Sequence, residues 1–321
     1  MIEAHGLART FGTRGGPVEA VRCVDLAVAP GEIVGFLGPN GAGKSTTLRM
    51  LTTLLAPTAG TARVAGRDLR SDPAGVRRRI GYVGQAGGTD PGVPAGEELR
   101  LQADLYGVAG ARGAGGRIAE LCARLDLEGL QERPSGSLSG GQRRRLDIAL
   151  GLVHRPPLVF LDEPATGLDP HSRGNLWEHI ARLRDQDGTT VFLTTHYLEE
   201  ADALCDRVLI IDRGRIVAEG TPSELKRRVS GDVVTLEPAG GEAAAGRARE
   251  VLSGRPGVRE ARAAGPVVRL RVEDGDRALV ELVRALDAAG IELASVRLAR
   301  PSLDDVFLTV TGRSLRDEPA A

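Results

Sequence analysis
The sequence predicts an α/β domain over its first two thirds and a small α+β unit after it. Three observations carry this. Residues 33–37, Ile-Val-Gly-Phe-Leu, form an apolar run that reads as a buried strand, passing into a glycine-rich loop and then into helix over 46–51. A second apolar run at 158–161 ends in Asp162-Glu163, and a third at 190–195 ends in His196. After Ser230 the pattern becomes strand, helix, strand, strand, helix, strand, the order of a ferredoxin-like unit.

The remaining elements follow in order. Residues 2–8 and 18–28 carry strand patterns. Residues 95–130 are mainly helical, with Leu99, Ala103, Leu105 and Tyr106, then Ile118, Leu121, Leu125 and Leu127 at helical spacing. Residues 142–153 continue that spacing through Leu146, Ala149, Leu150 and Val153. Arg213-Gly214 separates strand patterns at 208–212 and 215–219, a hairpin signal. Pro222 opens a short helix. In the second unit, 232–236, 258–263, 267–272 and 291–298 read as strands, and 241–252 and 276–289 as helices. Ser302 and Asp305 form a capping pattern, after which Leu303, Val306, Phe307 and Val310 share one helical face. That stripe must be buried, either on its own small sheet or against the first domain or a partner subunit. The domains predicted are 1–228, 229–312 and a loose tail over 313–321.

Chemistry concentrates at a few strand ends. Gly38-Pro39-Asn40-Gly41-Ala42-Gly43-Lys44-Ser45, followed by Thr46, fits G-x-x-x-x-G-K-[ST] between a strand and a helix. Glycines let the backbone turn so that its N–H groups face phosphate oxygens, and the helix N-terminus adds positive potential. The pattern assigns Lys44 to the β- and γ-phosphates of a nucleoside triphosphate and the Ser45 hydroxyl to Mg²⁺. Chance is a poor explanation, because Lys44 and Lys226 are the only lysines in the chain. Asp162 ends an apolar strand where a carboxylate holds Mg²⁺, directly or through water.

Leu138-Ser139-Gly140-Gly141-Gln142 is the LSGGQ signature, and with the loop at 38–45 it makes the chain resemble the ATP-binding-cassette (ABC) family. The resemblance implies a P-loop ATPase domain with a helical subdomain at about 90–155. It makes Glu163 the general base that polarises the attacking water, and Gln85 the residue that senses Mg²⁺ and the membrane partner. It makes His196 the switch histidine on the γ-phosphate and Asp169, in Gly167-Leu168-Asp169-Pro170, part of the D-loop at the nucleotide. Phe11 falls where the family stacks an aromatic, more often Tyr, on adenine; the alternative is a core phenylalanine ending the first strand. Aromatics are only 3% of the chain, which favours the first. Ala165 stands where many relatives carry a hydroxyl, a departure that touches no assigned role.

Ser139, Gly140, Gly141 and Gln142 open a helix, a second anion-binding end. The family solution is a head-to-tail dimer with each ATP between one chain's Lys44 loop and the other's Ser139 loop. Arg143-Arg144-Arg145 reads as a solvated helix face beside the phosphate site rather than a nucleic-acid patch. Residues 300–308, Arg-Pro-Ser-Leu-Asp-Asp-Val-Phe-Leu, closely resemble the C-terminal end of daunorubicin-resistance-type ATP-binding subunits, and the resemblance extends over essentially the whole chain.

Composition bounds what remains. A net charge of −1 over 321 residues argues against nucleic acid as partner. The three cysteines, Cys23, Cys122 and Cys205, have no metal spacing and read as free thiols of a reducing cytoplasm. The first residues do not read as a signal peptide. No apolar stretch approaches the ~20 residues of a membrane span, so the chain is not itself the pore. The expectation is the ATPase subunit of a bacterial exporter, using ATP and Mg²⁺. It would sit peripherally on the cytoplasmic membrane face and drive a separate membrane-spanning permease for a hydrophobic drug, antibiotic or lipid. The alternatives are a soluble ABC ATPase of translation or DNA maintenance, or an importer ATPase with a regulatory C-terminal domain. The former usually has two cassettes or long coiled coils, and neither is seen here.

Overall fold
The computed structural model describes residues 1–108, 113–229, 231–299 and 301–312, so the expected tail at 313–321 lies outside the described residues. The chain divides into two compact units, Met1–Thr221 and Pro222–Ala321.

The first unit opens with β1 (Ile2–Thr13), β2 (Gly16–Val28), β3 (Ile33–Leu37) and α1 (Lys44–Leu51). It continues through β4 (Ala59–Val64), β5 (Arg67–Asp68), α2 (Pro73–Arg77), β6 (Ile80–Val83), α3 (Ala95–Leu105), α4 (Gly113–Arg124) and α5 (Gly140–Leu152). It closes with β7 (Leu158–Asp162), α6 (Pro170–Asp187), β8 (Thr190–Thr195), α7 (Leu198–Leu204), β9 (Arg207–Asp212) and β10 (Arg215–Gly220). One sheet is antiparallel, in the order β2-β1-β4-β5. The other runs β10-β9-β3-β8-β7-β6, parallel from β9 to β6, with β10 as an antiparallel edge.

Strands β3, β7 and β8 are buried at every residue, which is why they read as unbroken apolar runs instead of alternating ones. Phe192 on β8 sits between Phe36 and Phe160 of the flanking strands, with ring centroids 5.6 Å away on each side. The parallel register sets Phe36 beside Thr194 and Asp162 beside Thr194. The carboxyl ends of β3, β7 and β8 therefore emerge together, and the loops that leave them share one crevice. Helices α3, α4 and α5 pack on one another as the helical subdomain.

The second unit contains α8 (Pro222–Val229), β11 (Asp232–Pro238), α9 (Gly241–Leu252), β12 (Val258–Ala264), β13 (Val267–Val272), α10 (Gly275–Ala288), β14 (Leu293–Ala299) and α11 (Leu303–Thr311). Its antiparallel sheet has the order β12-β13-β11-β14, with Val234, Leu236, Val268, Leu270 and Val272 buried against α9 and α10. This is the ferredoxin-like arrangement read from the sequence. Helix α11 packs on α8, and Leu225, Leu303, Val306 and Phe307 are buried while Val310 is exposed. The apolar stripe of α11 is thus one residue shorter than its periodicity suggests, and its partner is a helix rather than the small sheet. For the same reason α8 goes with the second unit, although the sequence places the division after residue 228.

Candidate active site
The loop after β3 turns because of two glycines. Gly43 has φ +108°, and a Cβ on Gly38 would meet the Ile211 carbonyl oxygen at 2.4 Å. Lys44 begins α1 and is 4% exposed. Its ammonium folds back over the loop, donating to the carbonyls of Gly38 at 2.6 Å and Pro39 at 3.1 Å. The next residue, Ser45, directs its hydroxyl at Asp162 Oδ1, 3.2 Å away. Asn40 and Gly41 form the exposed tip, Ala42 is buried, and Thr46 is half-buried in the first turn of α1.

Glu163 follows β7 with a left-handed φ of +46°, a costly conformation for a residue with a Cβ. Its N–H donates to Thr194 O at 3.1 Å and Thr194 Oγ1 at 3.0 Å. Its carboxylate is buried at the centre of a cluster. Oε2 accepts from Gln85 Nε2 at 3.1 Å and Thr166 Oγ1 at 3.2 Å, and Oε1 lies 3.4 Å from Lys44 Nζ. His196 Nδ1 stands 3.2 Å from Oε2. Burial pushes the Glu163 carboxyl up, but the His196 ring and the Lys44 ammonium outweigh it and hold the group below the ordinary carboxylate value. The site thus combines a glycine-rich loop at a helix start, a buried cation and a buried carboxylate held below its ordinary pKa.

Of the residues read from sequence, Lys44, Ser45, Gln85, Asp162, Glu163 and His196 meet here. Phe11 does not; it lies half-buried near the end of β1, outside the main core, with the Arg9 guanidinium 4.7 Å from its ring centre. Ser139 caps α5, accepting from the Gln142 N–H at 3.2 Å, and Gln142 Oε1 accepts from the Ser139 N–H at 3.0 Å. Ser139 and Gly140 are exposed, while Gly141 is buried, its Cβ position 3.0 Å from the Ser172 hydroxyl. Asp169 caps α6 beside them through Ser172, whose hydroxyl and N–H hold its carboxyl below the usual value.

Three contributors escaped the sequence reading. Thr166 and Thr194 look like ordinary polar residues near strand ends. Arg144 departs from the solvated face assigned to its run. It is buried, donating to Pro164 O at 3.0 Å, Gly84 O at 2.7 Å and Asp162 O at 3.0 Å. Burial pushes its guanidinium down from the usual arginine value. It therefore fastens the signature helix to the segments carrying Gln85 and Glu163. Its place one turn into a helix that must reach across three carbonyls is a signal visible only once the strands are assembled.

Comparison with known proteins agrees with this geometry. Residues 21–166 match the ABC transporter family model, and residues 220–311 match the ATP-binding protein DrrA1-3-like C-terminal domain. The chain is 46% identical over 320 residues to a daunorubicin/doxorubicin resistance ATP-binding protein of Streptomyces peucetius, covering 98% of this chain and 94% of that one. It is 43% identical to a doxorubicin resistance ATP-binding protein of Mycobacterium tuberculosis, covering 97% and 93%. It is 33% identical to a linearmycin resistance ATP-binding protein of Bacillus subtilis, covering 99% and 100%. Among solved structures, a dimeric ATP-binding cassette in a post-hydrolysis state with ADP and Pi superposes with a TM-score of 0.63 at 27% identity, covering 69% of this chain and 98% of that one. The full-length similarity shows that the chain belongs to the ABC transporter family, as an ATP-hydrolysing exporter subunit of the daunorubicin-resistance type.

Proposed function
We propose that ATP is cleaved at the Lys44–Asp162–Glu163 cluster and that two copies of the chain close head to tail around it to drive a membrane subunit. The observation that carries this reading is the buried Glu163 carboxylate, held ionised between Lys44, Gln85, Thr166 and His196. An ionised carboxylate accepts a proton from an attacking water. Lys44 exchanges its two carbonyl partners for phosphate oxygens, where its charge opposes the charge developing on the transferred phosphoryl group. His196, on the outer side of Glu163, meets the γ-phosphate.

Ser45 and Asp162 suit a Mg²⁺ ion, with Gln85 beside them, because their oxygens converge and the donor set is hard. When bound, Mg²⁺ would neutralise charge on the β- and γ-phosphates. Phe11 offers a ring face to adenine. Ser139 and Gly140, at the exposed start of α5, offer the Ser139 hydroxyl and the Gly140 N–H to the ATP held by the other copy.

Among the described residues no helix is long and apolar enough to cross a membrane. The path for cargo then belongs to a separate permease, with this chain peripheral on the cytoplasmic face. A groove of about 720 Å³ beside Gln85, lined in part by Arg49, Tyr82, Glu98, Leu101 and Asp147, fits a segment of that permease. Leu101 is 59% exposed on its rim. The relatives named for daunorubicin, doxorubicin and linearmycin resistance support a hydrophobic drug as cargo. Sedimentation of the purified chain with and without ATP tests the dimer. ATP should convert monomer to dimer in the wild type but not in Ser139→Arg, which should still bind ATP. The same dimer in both conditions would contradict the ATP-bridged arrangement.

A further inference from the structure
We infer that Thr194 is a positioning residue that sets both carboxylates of the hydrolytic site, resting on the roles given above to Asp162 and Glu163. Thr194 ends the apolar interior of β8, is wholly buried, and follows Val191, Phe192 and Leu193. A valine would fill the same volume on such a strand, so the hydroxyl needs a polar reason to be there. That reason is visible in its bonds. Thr194 Oγ1 donates to Asp162 Oδ1 at 2.5 Å and accepts from the Glu163 N–H at 3.0 Å.

The directions are fixed by chemistry. A backbone N–H only donates, so the Glu163 N–H takes a lone pair of Oγ1 and the single hydroxyl proton is left to point at Asp162 Oδ1. One side chain therefore orients the Asp162 carboxylate and anchors the backbone of Glu163. The anchor matters because Glu163 is held at φ +46°, where it stays only if its surroundings insist. The Thr194 carbonyl, 3.1 Å from the same N–H, keeps part of that anchor in any variant, but only the hydroxyl joins the two carboxylates. Asp162 Oδ1 also receives the Ser45 hydroxyl, so Thr194, Asp162 and Ser45 form one chain of bonds from β8 to the phosphate loop.

The test uses the purified full chain with Thr194→Val, Thr194→Ala, Thr194→Ser, Glu163→Gln and Thr194→Val combined with Glu163→Gln. ATP binding, kcat and KM are measured for each. Thr194→Val and Thr194→Ala should lower kcat about tenfold or more while KM changes less than about threefold. Thr194→Ser should stay within about threefold of wild type. On the Glu163→Gln background, Thr194→Val should cost clearly less than it does in the wild type, because the share of its effect carried by Glu163 is already gone and only the share carried by Asp162 remains. Thr194→Val within about twofold of wild type, or a serine variant as impaired as the valine one, would overturn the inference. So would a full multiplicative loss in the double variant, or loss of ATP binding in both the valine and alanine variants. If Glu163→Gln itself turns over normally, the assignment of the base fails and the inference falls with it. If Glu163→Gln is inactive and Thr194→Val is normal, only the role of Thr194 fails.

Discussion

Lys44 Nζ lies 3.4 Å from Glu163 Oε1, with the two side chains 4% and 7% exposed. The pair joins the start of α1 to the end of β7, segments far apart in sequence. Buried ion pairs are seldom net stabilising, since desolvation offsets most of their attraction. This one is better understood as chemistry held ready: the cation keeps the carboxylate ionised inside the protein, and the carboxylate keeps the cation over the loop.

The Phe11 ring is the nucleotide's aromatic platform in this account. Base–aromatic stacking is worth about 1–3 kcal/mol, so Phe11→Ala should weaken ATP binding roughly 5- to 150-fold. Phe11→Tyr should be nearly neutral, because the ring face is kept. Equilibrium binding of a fluorescent ATP analogue measures this, and unchanged affinity in a folded alanine variant would make Phe11 a structural residue.

Arg144 should prove structural rather than electrostatic. Its replacement by Met keeps the aliphatic stem but strips donors from three carbonyls, those of Gly84, Asp162 and Pro164. The expected cost is about 2–4 kcal/mol in urea denaturation. Arg145→Met, which loses one long bond to Asp126 O at 3.4 Å, should cost under about 0.5 kcal/mol, and Arg143→Met, which loses its bonds to Ser135 O and Gly136 O, about 1 kcal/mol. A loss under about 0.5 kcal/mol at Arg144 would restore the reading of a solvated face.

These residues also show where sequence reading reaches its limit. Lys44, Asp162, Glu163 and His196 were legible because each follows a short apolar strand, and parallel strands bring their ends together. Gln85 was legible by family resemblance at a strand end. Thr194 and Arg144 were not, since nothing local marks a threonine in a β-rich run or the middle one of three arginines. Their roles depend on which strand lies beside which. The extent of α8 is a similar case. Residues 222–228 look like the tail of the first domain, and only α11, far later in the chain, shows where they pack.

Truncation tests that division. A chain ended after Thr221 should bind ATP and melt cooperatively. A chain ended after Arg228 keeps α8 without α11 and exposes Leu225, whose burial is worth about 1.5–3 kcal/mol. It should bind more of a hydrophobic dye than the shorter chain. Equal dye binding by both would show that α8 does not need α11.

Glu200 supplies a dependence on pH. It is wholly buried, accepts from Trp177 Nε1 at 3.1 Å on one oxygen, and burial pushes its carboxyl above the ordinary glutamate value despite neighbouring hydrogen bonds and charges. With the folded value raised, its contribution to stability is fully present below the unfolded pKa and is lost as pH rises through the folded one. Glu200→Gln removes that loss and keeps an acceptor for Trp177. Its Tm should exceed wild type by about 2–4 °C at pH 8 and by less at pH 5, as for a gain of about 1 kcal/mol. A larger gain at pH 5 than at pH 8 would contradict the assignment.

The most direct test of the central claim is single-turnover ATP hydrolysis by Glu163→Gln beside the wild type, with bound ATP and oligomeric state followed in the same samples. The amide keeps the size of the side chain and its acceptor oxygen but cannot take up a proton. ATP affinity should stay within about threefold of wild type, the rate should fall by about 10²–10⁴-fold, and an ATP-bound dimer should accumulate. Hydrolysis at the wild-type rate would remove Glu163 from the role of base and contradict the account.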